Sequence, residues 1–518
     1  MSAHAYLPYL APFLLILPAL YAIRHPGKRP GRLPRAAEAA AAGAVVVAML
    51  AAVALVLAGP GTATLIPGLL AVRLDAVSAV MLLLVAFIGW IVLRFSVTYL
   101  DGESGQGAFT GWMSATLAAV LLLVTAGSLG QLVLAWIVTG LTLQKLLLFY
   151  PGRPAARRAA RKKAVTARMG DVALIGAAAL LAWGFGTGDI AAINAAARAG
   201  AAGPAVGGAA ALLAVAALLK SAQFPLHGWL TEVMEAPTPV SALLHAGVVN
   251  AGGVLLIRFA DVMLAAPGIL AALAMIGGFT ALFGGLVMLT QPAVKTSLAW
   301  STIAQMGFMI LQCGLALFPL ALLHIVAHSL YKAHAFLAAG GAIKGIAAIR
   351  RPGPVAVPDG RAVGRAFLAA LAIYAAVAVG FGAADKAPQA LALGAILIFG
   401  VAYLIAQGLA DSAPRALTRH TAVFALAASV SYFALQRAAE WLTQGVLPAP
   451  PVPGALEWAL IVLAMVSFGA VAVAQALLPL WAGHPAAQGL RVHLANGLYA
   501  NAVFDRLLGG WARRTSSS

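Results

Sequence analysis

Residues 220–245 read KSAQFPLHGWLTEVMEAPTPVSALLH, a run that holds one lysine, two glutamates, two histidines and three prolines. The whole chain is 62% hydrophobic and only 9% charged, with a mean hydropathy of +0.96. Soluble domains carry about 25% charged residues, so this composition indicates a polytopic membrane protein. A lysine at the centre of a bilayer costs about 2.5–3.5 kcal/mol. Residues kept at such a cost are the first candidates for function.

Apolar runs long enough to cross a hydrocarbon core of about 30 Å occur about fifteen times. The predicted fold class is therefore an all-α polytopic membrane protein with about 15 transmembrane helices. The tail from residue 489 mixes apolar residues with arginine and histidine, which predicts an amphipathic interfacial helix. The predicted spans are 5–23, 37–58, 76–100, 111–127, 129–150, 171–187, 205–225, 240–262, 267–290, 298–314, 316–342, 363–382, 389–410, 416–436 and 455–480.

Basic residues concentrate in the predicted loops after spans one, five, eleven and thirteen, for example at 153–168 and around Arg350. Cytoplasmic loops are enriched in lysine and arginine. The pattern predicts a bacterial inner-membrane protein with its N-terminus outside and its C-terminus cytoplasmic. The net charge of +18 then reflects membrane orientation and lipid contact, and nucleic-acid binding is not expected. The single cysteine, Cys313, lies in an apolar run and predicts neither a disulfide framework nor an iron–sulfur site.

Ionisable residues inside the predicted spans define the candidate site. Lys220 lies deep in its span, and Pro237 and Pro239 predict an interrupted helix whose freed backbone groups could hold water or an ion. The alternative is a lysine that extends to the interface and prolines that end a loop. His324, His328 and Lys332 are spaced four apart, so they share one helix face. Such a row lines a hydrated path or a neighbouring helix, or it forms part of a metal site; the last is disfavoured because no carboxylate or cysteine shares the face.

Together these lysines and histidines have the composition of a proton relay, since burial moves their pKa values toward neutrality. Lys295, near the cytoplasmic boundary, has a simple interfacial anchor as its alternative role. Arg168 and Asp171 are three apart and can pair on one helix face. The predicted ion-translocation residues are Lys220, His245, Lys295, His324, His328 and Lys332, with supporting roles for Arg168, Asp171, Glu232, Glu235, Pro237, Pro239 and Lys386.

The stretch at 220–245, with AVKTSLAWSTIAQMGFM at 293–309 and HSLYKAHAFLAAG at 328–340, resembles the antiporter-like membrane subunits of respiratory complex I and of Mrp sodium/proton antiporters. The resemblance covers most of residues 70–345. It implies inverted repeats of five helices, each repeat with a discontinuous helix. It also implies that Lys220 is the central lysine of the first half-channel, that His324 and His328 connect the halves together with Lys295, and that Lys332 is the lysine of the second half.

The predicted division of the chain follows from this resemblance. Residues 1–110 form N-terminal transmembrane helices, 111–262 the first half-channel, 263–410 the second, and 411–518 the C-terminal helices and tail. One departure stands out, because complex I subunits of this type carry a glutamate after a tryptophan in span five. Here Trp136 is followed by Ile137. The acid that faces Lys220 is left open among Glu232, Glu235 and Asp171.

LQKLLLFYP at 143–151 and AARRAARKKAVTARMGD at 155–171 are more similar to the membrane-subunit family of DAB inorganic-carbon pumps. The resemblance implies a DabA-like partner, a zinc protein related to carbonic anhydrases, which we expect on the cytoplasmic face. It also implies that a flow of H⁺ or Na⁺ drives one-way CO₂ hydration in that partner. We expect no cofactor in this chain, with zinc in the partner, and no catalysis by this chain. The alternatives are a complex I, hydrogenase or Mrp-type subunit, and a passive scaffold.

Overall fold

The computed structural model describes residues 3–201, 203, 205–341, 359–408 and 415–515, and this part of the chain is helical almost throughout. In a bilayer every backbone N–H and C=O has to be bonded within the protein, and an α-helix does this locally. Basic residues predicted to follow span eleven, including Arg350 and Arg351, lie outside the described residues. The predicted division into four parts stays a prediction.

The N-terminal half contains eleven α-helices and the one hairpin of the described chain. They are α1 (Leu7–Arg24), α2 (Leu33–Ala58), β1 (Gly61–Ile66), β2 (Leu70–Leu74), α3 (Ala76–Tyr99), α4 (Gln106–Val124), α5 (Leu129–Leu147), α6 (Pro154–Phe185), α7 (Ile190–Arg198), α8 (Ala205–Lys220), α9 (Gly228–Glu232), α10 (Thr238–Ala246) and α11 (Ala251–Arg258).

The second half of the described chain continues with α12 (Ala260–Leu264), α13 (Pro267–Met288), α14 (Val294–Gly314), α15 (Phe318–Ala338), α16 (Gly360–Gly380), α17 (Pro388–Gly408), α18 (Arg415–Thr443), α19 (Ala455–Ala476), α20 (Leu478–Trp481), α21 (Pro485–Ala495) and α22 (Ala500–Thr515).

Twelve of the described helices, or pairs of consecutive helices, are long and apolar enough to cross a membrane. The protein is thus an all-α polytopic membrane protein, as predicted, but the count of fifteen spans is not confirmed. The predicted spans 205–225, 298–314 and 389–410 overlap α8, α14 and α17. Helix α8 and the part Pro388–Gly400 of α17 are apolar but shorter than the other spans, and α14 is not among the twelve. The two C-terminal helices α21 and α22 occupy the predicted amphipathic tail, and their position on a membrane surface stays a prediction.

The segment between predicted spans two and three, which the sequence predicted to be a loop, forms a hairpin. β1 pairs with β2 in antiparallel register. Leu69 donates its N–H to the carbonyl of Ile66 at 3.1 Å, and Gly68 has φ +74°. A positive φ after proline is the requirement of a type II turn, which Pro67 and Gly68 meet.

The basic segment 153–168 is helical, which corrects the prediction that it is a loop. Pro154 starts α6, where its fixed φ and missing N–H suit the first helical turn. The helix then continues through the basic run into the predicted span six. Two of its lysines, Lys162 and Lys163, are buried with 0% and 6% exposure, so they are not solvated anchors. Because the basic run continues the helix of span six, its two lysines lie inside the protein.

Helices α13 and α14 cross at very short range because glycines face each other. A Cβ added to Gly307 would lie 2.4 Å from the backbone nitrogen of Ala281, and one added to Gly277 would lie 2.5 Å from that of Leu311. Small residues at helix crossings allow backbones to approach closely in membranes, where van der Waals packing is a main source of helix association. The close crossing positions α14 so that its Lys295 can reach Thr238 in the candidate site.

The glycine at that crossing gives a direct stability test. We expect Gly307→Ala to destabilise the protein by about 1–3 kcal/mol, because the methyl group overlaps the backbone of α13. Gly285→Ala is the matched control, since Gly285 lies on the partner helix α13 and nothing lies within 4 Å of its would-be Cβ. The midpoint of thermal unfolding in detergent measures both. Equal midpoints for the two variants would contradict close packing at Gly307.

Candidate functional site

The stretch 220–245 folds as a series of short elements. Helix α8 ends at Lys220, and Ala222 adopts a left-handed backbone conformation with φ +51°. After α9 and a 3₁₀ turn at Val233–Glu235, Pro237 precedes the first residue of α10, so the proline pair starts a helix at an interruption. A further interruption, which sequence analysis did not single out, lies at Val248–Asn250, between α10 and α11.

Lys220 lies against an aromatic ring and not against a carboxylate. Its Nζ is 4.3 Å from the centroid of the Trp136 ring, in a cation–π contact. Both residues line a small cavity of about 20 Å³ together with Lys163, Thr166 and Trp229. That volume holds a single water-sized species. Lys163 donates to the carbonyl of Gly140 at 2.7 Å, so two lysines from different helices meet at one cavity.

Of the three acids left open by the sequence, Asp171 is the one that acts electrostatically on Lys220. It is engaged by Arg168 as well, with 2.7 Å between Nη2 and Oδ2, as their spacing predicted. Glu235 pairs instead with Arg153 at 3.6 Å. Within the part of the chain that the structure describes, Lys220 has no carboxylate within ion-pair distance.

Glu232 belongs to a different cluster, centred on the fully buried Lys162. Lys162 donates to Glu232, and it contacts Asp505 at 2.6 Å and the amide oxygen of Asn501 at 2.7 Å. Asn501 in turn donates to Glu232 at 2.6 Å. This Lys162 cluster fastens α22 to α6 and α9. The distance of more than 300 residues between its members explains why sequence analysis missed it.

The second lysine predicted for a half-channel, Lys332, is buried on α15. Its Nζ donates to Ser301 Oγ at 2.7 Å and to the Leu298 carbonyl at 3.3 Å. Both partners lie on α14. Its neighbour Ser329 accepts a hydrogen bond of 2.9 Å from Asn250, the last residue of the interruption between α10 and α11. Lys332 is therefore held by neutral groups beside the broken span.

Two of the predicted histidines contact each other through the backbone. His328 Nε2 lies 3.2 Å from the carbonyl of His245, and His245 Nδ1 lies 3.1 Å from Thr302 Oγ1. The His324 and His328 rings are 5.9 Å apart, so the face predicted from their spacing is formed. The Nε2 atoms of His245 and His324 are enclosed without a hydrogen-bond partner within the described chain. Such groups can take up or pass on a proton.

Lys295 joins this region at its edge. Its Nζ donates to Thr238 Oγ1 at 3.0 Å, and Tyr99 OH lies 3.2 Å from the same oxygen. Lys295 is thus bonded to the start of the broken span and does more than anchor α14 at an interface. Lys386 is apart from the other lysines, with its Nζ 5.5 Å from the Phe433 ring centroid.

A charge cluster that sequence analysis did not assign holds the end of the broken span. Asp75 is fully buried, caps α3 by accepting from Ser78 N at 2.8 Å, and contacts Arg73 at 2.8 Å and Arg258 at 2.7 Å. Burial raises the pKa of Asp75, but the two guanidiniums and Ser78 outweigh it and hold the pKa below its usual value. The RLD sequence at 73–75 signals the cap, but its contact with α11 is a tertiary feature.

We expect Asp75→Asn to cost about 3–5 kcal/mol of stability at neutral pH, because it leaves the buried Arg258 and the partly buried Arg73 without their carboxylate. Since the folded pKa lies below the unfolded one, the stabilisation is complete above about pH 4 and is lost as the pH falls through the folded value. Thermal midpoints of wild type and variant should therefore converge in acid.

Asp101→Asn is the control for that prediction. Asp101 pairs with Arg29 at 3.5 Å, and its side chain is 61% exposed. An exposed pair contributes about 0–1 kcal/mol. A gap between wild type and Asp75→Asn that is no larger than this would contradict the buried pair.

Lys162→Ala should release the C-terminal helix α22, because its partners Asn501 and Asp505 lose their only shared cation contact in the described structure. We expect trypsin to cleave after Arg506 about tenfold faster than in wild type, since local opening becomes easier. Arg161→Ala, at the neighbouring exposed position, is the control. Mass spectrometry of the released peptides gives the rates, and equal rates in both variants would count against the docking role.

Comparison with known proteins agrees with this architecture. Residues 126–350 match the family described as NADH:quinone oxidoreductase/Mrp antiporter, TM, and residues 69–110 match NADH-Ubiquinone oxidoreductase (complex I), chain 5 N-terminus. The fold is similar to a chain of the Mrp complex from Dietzia sp., with a TM-score of 0.65 and 24% identity, over 99% of this chain and 60% of that one. Residues 126–350 are thus similar to antiporter-like membrane subunits, and the fold of the described chain is like that of an Mrp-complex chain.

The chain is also similar to a protein named probable inorganic carbon transporter subunit DabB2, from Halothiobacillus neapolitanus, at 48% identity over 52% of this chain and 49% of the relative. A DabB relative from Hydrogenovibrio crunogenus is 44% identical over 53% of each chain. NAD(P)H-quinone oxidoreductase chain 5 of Synechocystis is 35% identical over 56% of this chain and 44% of that protein. The chain spans about half the length of the curated relatives it matches.

Proposed function

We propose that the chain is the ion-translocating membrane subunit of an energy-coupled inorganic-carbon uptake complex. H⁺ or Na⁺ moves down its gradient past Lys220, Lys295 and Lys332. Each elementary charge that crosses the membrane releases about 2.3 kcal/mol per 100 mV. A partner subunit uses this energy to make the hydration of CO₂ to bicarbonate effectively one-way. The similarity to DabB subunits of two bacteria supports this choice of substrate.

The observation that carries the proposal is the series of enclosed polar contacts around the broken span α10–α11. Thr238 bonds Lys295 at its start, the His245 carbonyl contacts His328 near its middle, and Asn250 bonds Ser329 at the interruption. Charged and polar groups are expensive inside a membrane, and they mark ion pathways where they occur. A broken span also frees backbone carbonyls and N–H groups, which can then contact an ion.

The partner is a DabA-like zinc subunit related to carbonic anhydrases, docked on the cytoplasmic face so that bicarbonate is released inside the cell. This chain needs no cofactor for its own part. Enzyme chemistry belongs to the partner in this proposal. The basic positions Arg157, Arg158 and Arg161 are exposed at the start of α6, on the side that the positive-inside rule predicts to be cytoplasmic.

A second candidate function is a proton-pumping or sodium-exchanging subunit of a complex I, hydrogenase or Mrp-type assembly. The matched families and the 35% identity to an oxidoreductase chain support it. Ile137 disfavours it, because the resemblance to complex I subunits implies a carboxylate beside the first lysine, whereas Lys220 here lies over the Trp136 ring and has no carboxylate within ion-pair distance among the described residues.

The test is growth in air of a bacterium that lacks carbonic anhydrase and expresses this chain with its partner. We expect growth to be restored, and to be lost with Lys220→Ala or Lys332→Ala, because each removes a cation from the ion path. An uncoupler of the membrane potential should abolish the rescue by the wild-type pair. Growth rate is the measurement.

Lys145→Ala is the matched control, since Lys145 is an exposed lysine of α5 outside both lysine sites. Rescue that survives both lysine variants would leave the chain as a passive scaffold. Absence of rescue together with sodium-dependent proton exchange in vesicles would favour the Mrp-type alternative.

A further inference from the structure

The cavity beside Lys220 is lined by hydrogen-bond donors from three separate elements. Lys163 comes from α6, Lys220 from the end of α8, and Trp229 from α9. No carboxylate is among the described residues that line it. Such donors favour a ligand that accepts hydrogen bonds.

Trp229 supplies an independent observation. Its side chain is only 4% exposed, yet its Nε1–H has no hydrogen-bond partner within the described chain. An indole N–H only donates, and a buried donor without a partner costs about 1–3 kcal/mol. An acceptor inside the cavity that Trp229 lines removes this cost.

The balance of charge around the cavity favours an anion over water. Two lysine side chains line it, and Arg168 lies close by, 3.4 Å from the would-be Cβ of Gly140, whose carbonyl accepts a hydrogen bond from Lys163. Asp171 is the one carboxylate that acts on both lysines, and it is already engaged by Arg168. Because Asp171 pairs with Arg168, neither Lys163 nor Lys220 has a carboxylate in ion-pair contact among the described residues.

We propose that this cavity, between Lys163, Lys220 and Trp229, binds a single small monovalent anion such as chloride. Its size, about 20 Å³, suits a single small ion. The anion is an exchangeable counter-ion for Lys220. It lies beside Trp136, next to the position where Ile137 stands and a carboxylate is absent. The inference does not depend on the proposed function, because binding to the purified chain is measured without CO₂ or a gradient.

Equilibrium binding of radioactive chloride, ³⁶Cl⁻, to the full-length chain in detergent tests the proposal. We expect saturable binding by wild type. Trp229→Phe, which removes the N–H and keeps the aromatic bulk, should weaken it about tenfold. Lys163→Gln, which removes the charge and keeps a donor, should weaken it about a hundredfold. Lys145→Gln is the control and should bind as wild type does.

Unlabelled bicarbonate and gluconate distinguish the sources of the ligand. Displacement of ³⁶Cl⁻ by bicarbonate but not by gluconate, at equal ionic strength, shows that both small anions share the site; displacement by chloride alone assigns it to halide. Wild-type binding that does not saturate would overturn the proposal. Saturable binding that Trp229→Phe and Lys163→Gln leave unchanged would overturn it as well. Trp229→Phe keeps the test decisive if the lysine variant does not fold.

Discussion

Every backbone group inside a bilayer has to find a hydrogen-bond partner within the protein, and the interruptions between Lys220 and Ala251 create groups that helices cannot satisfy. Polar side chains meet this need. Ser221 Oγ donates to the Val249 carbonyl at 2.9 Å, and Asn250 Nδ2 donates to the Ala246 carbonyl at 3.0 Å. The breaks in the helices thus require polar side chains inside the protein. The same polar groups are then available to bind an ion. Much of the candidate site follows from this constraint.

Around these breaks the protein holds cations in two different ways. Lys332 is bonded by a hydroxyl and a carbonyl, and Lys220 lies over the Trp136 ring, so neither has a carboxylate in direct contact within the described chain. Lys162 and Arg258, in contrast, are paired directly with acids and join distant segments. A fully paired cation is costly to disturb and suits a structural role, whereas a cation held by neutral groups keeps its charge available for exchange.

The short α13–α14 crossing and the buried Asp75 pair fix the frame in which these lysines stand. Glycine at the crossing lets α14 reach the broken span, and Asp75 fastens the end of that span to α3. The crossing helix α14 also bears Leu298 and Ser301, the hydrogen-bond partners of Lys332. A site of this kind combines a fixed surround with a few side chains that are free to change partners.

The sequence by itself determined the membrane class, the helical fold and the row His324, His328 and Lys332, because apolar length and four-residue spacing are local properties. It did not predict that 153–168 is helical with Lys162 and Lys163 buried, nor the hairpin at β1–β2. Only the tertiary structure decided which acid lies near Lys220, since Glu232 and Glu235 are taken by Lys162 and Arg153 and Asp171 remains. Such pairings depend on contacts between segments far apart in the chain, and spacing along a sequence does not encode them.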